Sequence, residues 1–230
     1  MTSDPRKLFL FLRDPDGRDI GATQDRLRAA IGARDSLFGK AAHLSFCRIH
    51  PAPEGMPRRP DDKGPVETRP AYDAAIIAEF ADADDARAAF DKSCGADWLA
   101  QKLSIAAYLT TPIVVLDRLP GDAKPAIKYL SLTRFHDDMP DSAALRSWAQ
   151  HAKLGSIVHV GAGRYLRNWV EARQPADPPV RGIVEFDFAS LSDLTERYFG
   201  IPGGMDRIIQ DVGHFVQSAT RLYMREEKIR

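Results

Sequence analysis

The order of predicted secondary-structure elements repeats once along the 230-residue chain, and this repeat constrains the fold more than any other feature. Apolar or alternating runs predict strands, and apolar residues spaced at i, i+3 and i+4 predict helices. The first copy gives the order strand, helix, strand, strand, helix, strand, at residues 8–12, 23–31, 43–49, 74–80, 82–92 and 113–116. After a polar linker, the second copy gives the same order at residues 128–135, 142–153, 164–172, 182–188, 190–199 and 222–226, with a further helix at 205–217 before its last strand.

The first strand shows how the two copies should pack. Leu8, Leu10 and Leu12 alternate with Phe9 and Phe11, so both faces of its sheet are apolar and need cover. Helices cover one face in a βαββαβ unit, and a second sheet of the same kind is the simplest cover for the other face.

We therefore expect an α+β fold of two tandem ferredoxin-like βαββαβ halves whose antiparallel sheets pack face to face as an intrachain α/β barrel. Residues 1–122 would form the N-terminal half, as a degenerate copy, and residues 123–230 the C-terminal half. Side chains or a ligand would fill the space between the two sheets.

The composition excludes several function classes. Lys+Arg and Asp+Glu both number 32, so no net charge indicates a nucleic-acid or membrane partner, and a small molecule or a second copy of the chain (a homodimer) is the expected partner. Cys47 and Cys94 have no CxxC spacing, so we expect neither a disulfide framework nor a metal site. Only five apolar residues precede Arg13, too few for a signal peptide, and we expect a cytoplasmic protein.

Four stretches of the second half resemble the EthD-like branch of the dimeric α/β-barrel superfamily. They are residues 129–135, 145–152, 164–168 and 211–216, the last leading to 224–227. The most specific element is the aromatic-x-x-His pair of Trp148 and His151. Members often carry a second histidine directly after the first, whereas here the next one is His159, and the first half lacks the helix histidine altogether.

The resemblance implies an apolar barrel cavity, catalysis without a metal or organic cofactor, and one working site per chain. Its members and relatives perform dehydration, cyclisation, decarboxylation or oxygenation of aromatic or polyketide-like compounds. A shared fold does not choose among these reactions.

Histidine is the leading candidate for acid–base chemistry because imidazole titrates near neutral pH. His151 is expected near a helix end, where the helix dipole would favour the imidazolium, although it could simply bond the last carbonyl groups. His136 follows the first strand of the second copy, beside two aspartates, and is either an assisting group or an exposed loop residue. His159 could be a repeat equivalent of His43 or a loop residue, and His214 is spaced to hydrogen-bond Asp211.

The strand at 164–172 places Tyr165, Arg167 and Trp169 on one face by alternation. Tyr165 would assist His151, Arg167 would bind a carboxylate or phenolate, and Trp169 would stack on a ring. A solvated outer face of the sheet is the alternative explanation for the same residues. Trp148 and Arg134 complete the expected substrate-binding set.

These observations predict a cofactor-independent lyase, a decarboxylase or dehydratase of aromatic or polyketide-like small molecules that uses histidine as general acid and base. A cofactor-free oxygenase on the same fold and a non-catalytic small-molecule-binding or accessory protein are the alternatives. Two or more polar groups converging on an apolar cavity would favour an enzyme over a binding protein.

Overall fold

The computed structural model describes residues 4–17, 19–32, 35–57, 69–95, 103–120, 123–177 and 179–230. The first half contains β1 (Arg6–Arg13), α1 (Ile20–Gly32), a short 3-10 helix, β2 (His43–His50), β3 (Ala74–Phe80), α2 (Ala83–Gly95) and β4 (Ser104–Asp117). The second half contains β5 (Ile127–Phe135), α3 (Asp141–Val158), β6 (Arg164–Gln174), β7 (Gly182–Phe188), α4 (Leu191–Thr195), α5 (Gly204–Val212) and β8 (Val216–Lys228). The expected boundary between halves, 122/123, adjoins residues outside these ranges.

Eight antiparallel strands form one closed barrel in the order β1-β3-β2-β8-β5-β7-β6-β4. Each half contributes four neighbouring strands, and the halves join where β2 pairs with β8 and where β4 pairs with β6. The predicted α+β barrel of two βαββαβ units is confirmed.

Several elements differ in length from the prediction, among them α4, which ends at Thr195 rather than at 199, and β8, which spans Val216–Lys228 rather than 222–226. Strand β4 begins at Ser104 rather than at 113, because its first part pairs with β1 and its second part with β6. Helix α3 continues to Val158 rather than ending at 153, whereas α5 ends at Val212 rather than at 217 and leaves Val216 to begin β8.

The barrel interior is filled by side chains. Its apolar part comes from both halves and includes Phe9, Phe11, Ile77, Leu130, Leu132, Ile183, Leu222 and Met224. The same strand faces carry buried charges: Lys128 Nζ lies 2.6 Å from Glu185 and 2.7 Å from Asp187. Lys7 Nζ lies 3.0 Å from Glu185 and 2.8 Å from Glu79, so this charge cluster also joins the two halves. The space between the sheets therefore holds packed apolar side chains and ion pairs.

The outer faces of the two halves are covered differently. In the first half, α1 and α2 pack on leucines of β1 and neighbouring strands in one apolar cluster. In the second half, α3, α4 and α5 lie over an aromatic-rich face of the sheet. No helix within the described residues is long and apolar enough to cross a membrane.

Candidate functional site

A pocket of about 110 Å³ lies between the outer face of the second half's sheet and its helices. This position differs from the expected cavity inside the barrel, because ion pairs and aromatic side chains occupy that interior. The sheet contributes Tyr129, Ser131, Thr133, Tyr165, Val184, Phe186, Ala219, Arg221 and Tyr223 to the pocket wall. Helices and connecting segments of the second half contribute Trp148, His151, His159, Tyr198, Phe199, Ile208, Ile209, Val212 and Phe215, and Val216 at the start of β8 also belongs to the wall. Met56 and Pro57 are the first half's contribution.

Helix α3 positions the candidate base through its spacing. Trp148, His151 and Gly155 follow one another at three- and four-residue intervals and so share one face of the helix. His151 lies two turns before the helix ends at Val158, so the expectation that the helix end would favour its charged form is wrong. Burial decides its charge instead.

His151 forms a dyad with Asp211 of α5. Its Nδ1 lies 2.7 Å from Asp211 Oδ2, and because an ionised carboxylate only accepts hydrogen bonds, Nδ1 must carry the proton and donate. Burial lowers the pKa of His151, an effect that the Asp211 carboxylate opposes and nearby Arg167 reinforces. The ring is therefore neutral near pH 7 and leaves Nε2 as a proton acceptor. Asp211 bonds His151 rather than His214, whose ring is exposed.

His159, one residue beyond α3, is a second pocket histidine of the same tautomer. It is 2% exposed, its Nδ1 donates to the Tyr198 carbonyl oxygen at 2.6 Å, and its ring stacks on Tyr198 at 4.3 Å. Burial lowers its pKa to about 4 against the hydrogen bond to Tyr198, so it is neutral at physiological pH. The sequence left it as either a repeat equivalent of His43 or a loop residue, and the longer α3 places it directly after the helix, eight residues beyond His151.

Tyr165 and Trp148 are aromatic side chains of the pocket wall. Tyr165 is buried and stacks on Phe186 with centroids 4.3 Å apart, and burial raises its pKa, so its hydroxyl stays protonated. Trp148 packs edge-on against Phe135 and lies over Gly182, where a Cβ atom would come within 2.6 Å of the indole. The absence of a side chain at residue 182 therefore allows the indole to pack against the strand.

Arg167 and Trp169 lie beside the pocket rather than in its described wall. The Arg167 guanidinium carbon lies 5.5 Å from the Trp148 ring centre, and its buried Nε has no hydrogen-bond partner among the described residues. Burial lowers the pKa of Arg167. Trp169 stacks on Phe135 at 6.0 Å and supports the indole of Trp148 from behind.

His136 and Arg134 are not brought into the described wall. His136 Nε2 lies 3.3 Å from the Gly213 carbonyl oxygen, which ties the end of β5 to the turn after α5. Arg134 shares the strand face of Leu130 and Leu132, opposite the pocket, and its guanidinium lies 3.7 Å from Asp137.

Among the described residues, no group of three or more His, Cys, Asp or Glu side chains is arranged to hold a metal ion. The polar groups of the described pocket wall include His151, His159, Tyr165 and Arg221, together with the hydroxyl groups of Tyr129, Ser131, Thr133, Tyr198 and Tyr223. The sequence suggested Asp211 as a partner of His214 rather than of His151 and did not single out Arg221, because no short motif connects positions so far apart along the chain.

Comparison with known proteins gives the fold. No protein-family model matches the chain, and no curated protein matches it in sequence. The chain is similar to the solved structure of an anthrone oxidase-like protein, with TM-score 0.59 and 8% identity over 98% of this chain and 93% of that one. It is also similar to a proposed monooxygenase from Fusobacterium nucleatum, with TM-score 0.51 and 11% identity over 99% of this chain and 95% of that one. A proposed monooxygenase from Lactobacillus acidophilus gives TM-score 0.50 and 12% identity over 97% and 94%. These likenesses support the dimeric α/β-barrel fold.

Proposed function

We propose that this protein is a cofactor-independent enzyme that moves protons on an aromatic or polyketide-like small molecule, and that it acts as a lyase. The observation that carries the proposal is the dyad of His151 and Asp211, 2.7 Å apart, at an aromatic pocket. Asp211 fixes the tautomer and orientation of the ring, which is the arrangement that makes a histidine an effective general base.

In a dehydration, His151 Nε2 would take the proton from the carbon next to a carbonyl group. The electron pair left behind forms the new double bond while the neighbouring hydroxyl leaves. His151 then returns its proton to that hydroxyl, so water departs and the enzyme is restored. In a decarboxylation the protonated ring would instead deliver a proton to the carbon that loses carbon dioxide. The neutral ring suits the first route best, because the first step requires a base.

Three aromatic side chains around His151 would bind and orient the substrate in this proposal. Trp148 would hold the substrate ring by stacking, and the protonated Tyr165 hydroxyl would donate to the carbonyl oxygen on which charge develops. Trp169 supports Trp148 from behind. The pocket wall comes almost wholly from the second half, which supports residues 123–230 as the working, EthD-like half and residues 1–122 as a degenerate copy.

A cofactor-free oxygenase is the second candidate, because the solved structures of the same fold include an anthrone oxidase-like protein and two proposed monooxygenases. The same proton abstraction would give an electron-rich anion that reacts with molecular oxygen. One oxygen atom would enter the product and the other would leave as water. A binding protein without catalysis would not require a histidine held by a carboxylate in one tautomer.

Oxygen dependence separates these candidates. Purified protein is incubated without oxygen with a panel of aromatic β-hydroxy ketones and aromatic carboxylates, and products and carbon dioxide are followed by mass spectrometry. Turnover without oxygen that is lost in His151→Gln supports the lyase. Turnover only after oxygen is admitted supports the oxygenase, and binding without turnover under both conditions contradicts the enzymatic proposal. His214→Gln is the matched control, because it changes an exposed histidine just after helix α5, which carries Asp211.

A further inference from the structure

Arg167 is a buried cation for which the described residues supply no anionic partner. The residue is 8% exposed, and its Nε is buried without a hydrogen bond to any described residue. Burial lowers the pKa of its guanidinium, and no described carboxylate opposes that effect. Its guanidinium carbon lies 5.5 Å from the centre of the Trp148 ring. Arg167 therefore differs from Lys7 and Lys128 of the barrel interior, each of which lies within 3.0 Å of a carboxylate.

A charge held in this way should weaken the fold. Desolvation of a charged group usually costs more than a cation–π contact returns, and an apolar side chain of similar length would avoid that cost. Ionisable groups kept in such surroundings are concentrated at functional sites. An arginine at position 167 therefore indicates a function that requires its charge.

The strand register places this charge next to the pocket wall. Arg167 on β6 is directly opposite Val184 on β7, and the neighbouring row of the same face pairs Tyr165 with Phe186. Val184, Tyr165 and Phe186 all belong to the wall. Adjacent rows on one face of a sheet are about 7 Å apart, so the charge of Arg167 acts on the pocket across about one row.

Two groups of the wall are affected by the Arg167 charge. Burial raises the pKa of the Tyr165 hydroxyl, and Arg167 opposes that effect. Burial lowers the pKa of His151, and Arg167 reinforces that effect. None of the described residues forms a hydrogen bond with the Tyr165 hydroxyl, so it can donate to a ligand. A cation beside a hydroxyl group strengthens the hydrogen bond that this hydroxyl donates to an anion.

We propose that Arg167 stabilises, through the Tyr165 hydroxyl, the negative charge that develops on a substrate oxygen during the reaction proposed above. This inference rests on that reaction. As His151 Nε2 takes the proton from carbon, the electron pair moves onto the neighbouring carbonyl oxygen, and Tyr165 donates to the enolate oxygen that forms. Arg167 is covered by the Trp148 ring and does not touch the substrate, so it is a positioning residue that acts through Tyr165.

This arrangement also narrows the substrate class. Asp211 lies beside His151, which becomes positively charged, and Arg167 lies beside Tyr165, which donates to the oxygen that becomes negatively charged. Both fixed charges favour the transition state over an uncharged ground state. A ligand already anionic at that oxygen would gain the same stabilisation before the reaction, with no increase in rate. The substrate should therefore be an enolisable aromatic ketone whose oxygen is neutral when it binds.

A phenol whose ionisation is visible tests this charge without turnover. The probe is para-nitrophenol, which absorbs visible light only as the phenolate, so a pH titration of the bound probe gives its pKa in the pocket. One ring suits the small volume of the pocket. The titration is made in His151→Gln, because the imidazole would otherwise take the proton of the probe. Arg167→Met, Arg167→Lys and Tyr165→Phe are added to that protein, and Arg225→Met, at an exposed position of β8, is the control.

The pKa of the bound probe should rise by about one unit after Arg167→Met, which is a tenfold loss of preference for the phenolate over the phenol. Arg167→Lys should keep part of the preference, and Arg225→Met should keep all of it. In the presence of Tyr165→Phe, Arg167→Met should have a much smaller effect, because the hydroxyl transmits the charge. An unchanged pKa after Arg167→Met, an equal shift with and without the Tyr165 hydroxyl, or no binding of the probe would overturn the inference.

The stability of the otherwise native protein separates this role from a structural one. Arg167→Met should leave the midpoint of urea unfolding unchanged or raise it, because an apolar side chain replaces a buried charge that has no described partner. A clearly lower midpoint would assign Arg167 to packing and overturn the inference.

Kinetics give the last readout. With His151 present, Arg167→Met should lower kcat about tenfold with little change in KM. The other titratable groups near His151 are Asp211 on α5 and His159 after α3. Loss of the guanidinium should raise the pKa of His151 and move the acidic limb of the pH–rate profile to higher pH. An unmoved limb would overturn the inference, whereas the expected shift of the probe without any turnover would contradict only the proposed reaction.

Discussion

Lys128→Met is the sharpest test of the barrel interior. The ammonium group lies 2.6 Å from Glu185 and 2.7 Å from Asp187, and both carboxylates are almost fully buried. Removing it leaves Glu185 paired with Lys7, but the closest remaining cation to Asp187 among the described residues is Arg164, at 3.6 Å. Breaking a buried pair in this way costs about 3–5 kcal/mol, because the buried Asp187 charge keeps only this more distant and partly exposed cation.

The loss of stability in Lys128→Met should depend on pH. Burial raises the pKa of Asp187 even against Lys128, and losing the ammonium group raises it further. In the unfolded chain the Asp187 carboxyl group has its ordinary pKa of about 4, so above that pH the folded variant binds a proton that the unfolded chain does not. The free energy of unfolding of the variant therefore rises again as the pH falls toward 4. The difference from wild type should be largest near pH 7.5 and clearly smaller near pH 5.

Urea unfolding followed by circular dichroism measures both effects. With a slope of about 2–3 kcal/mol per molar urea for a chain of this size, the midpoint should fall by about 1–2 M near neutral pH. Lys153→Met, at an exposed position of α3, is the control and should change little. A loss under about 1 kcal/mol, or equal losses at both pH values, would refute the reasoning from a buried, paired charge.

Three further predictions concern the site. The pKa of His159 is about 4 when folded and about 6.5 when unfolded, so the unfolded chain binds more protons between these values. The folded state should lose about 3 kcal/mol as the pH falls through that interval, and His159→Gln should remove most of this dependence in urea titrations. Gly182→Ala places a Cβ atom within 2.6 Å of Trp148, so calorimetry should show about 1–3 kcal/mol lower stability, and an unchanged stability would argue against the contact. Asp211→Asn should reduce kcat by about 10²- to 10⁴-fold and, because the carboxylate raises the pKa of His151, shift the acidic limb of the pH–rate profile to lower pH.

The fold was largely predictable because its strands follow simple alternation. Runs such as residues 8–12 and 182–188 identified their strands, and the repeated order identified the barrel. The charge cluster was not predictable, because Lys128, Glu185 and Asp187 read as ordinary outward-facing polar residues until the barrel closes around them. Glycine normally signals a helix end, yet α3 continues through Gly155 to Val158. A glycine suits this position because a Cβ atom there would lie 3.3 Å from Tyr165.

The site was predictable only where it depends on local spacing. Trp148 and His151 share a helix face, and alternation placed Tyr165 on the sheet face that became the pocket wall. The partner of His151 was not predictable, because Asp211 lies 60 residues away and reaches it only through the packing of α3 against α5. We expected Arg167 to bind an anion, but its guanidinium lies over the Trp148 ring. Sequence alternation gives the face of a strand, but it does not show which side chains cover that face.

The central claim is that His151 is a neutral base whose Nδ1–H is held by Asp211. Long-range proton–nitrogen NMR spectra of ¹⁵N-labelled protein report the protonation of both ring nitrogens for all six histidines, and His151→Gln assigns the signal. We expect Nδ1 protonated and Nε2 unprotonated near neutral pH, with the tautomer preference lost in Asp211→Asn. A ring that is doubly protonated near neutral pH, or protonated at Nε2 alone, would contradict the account.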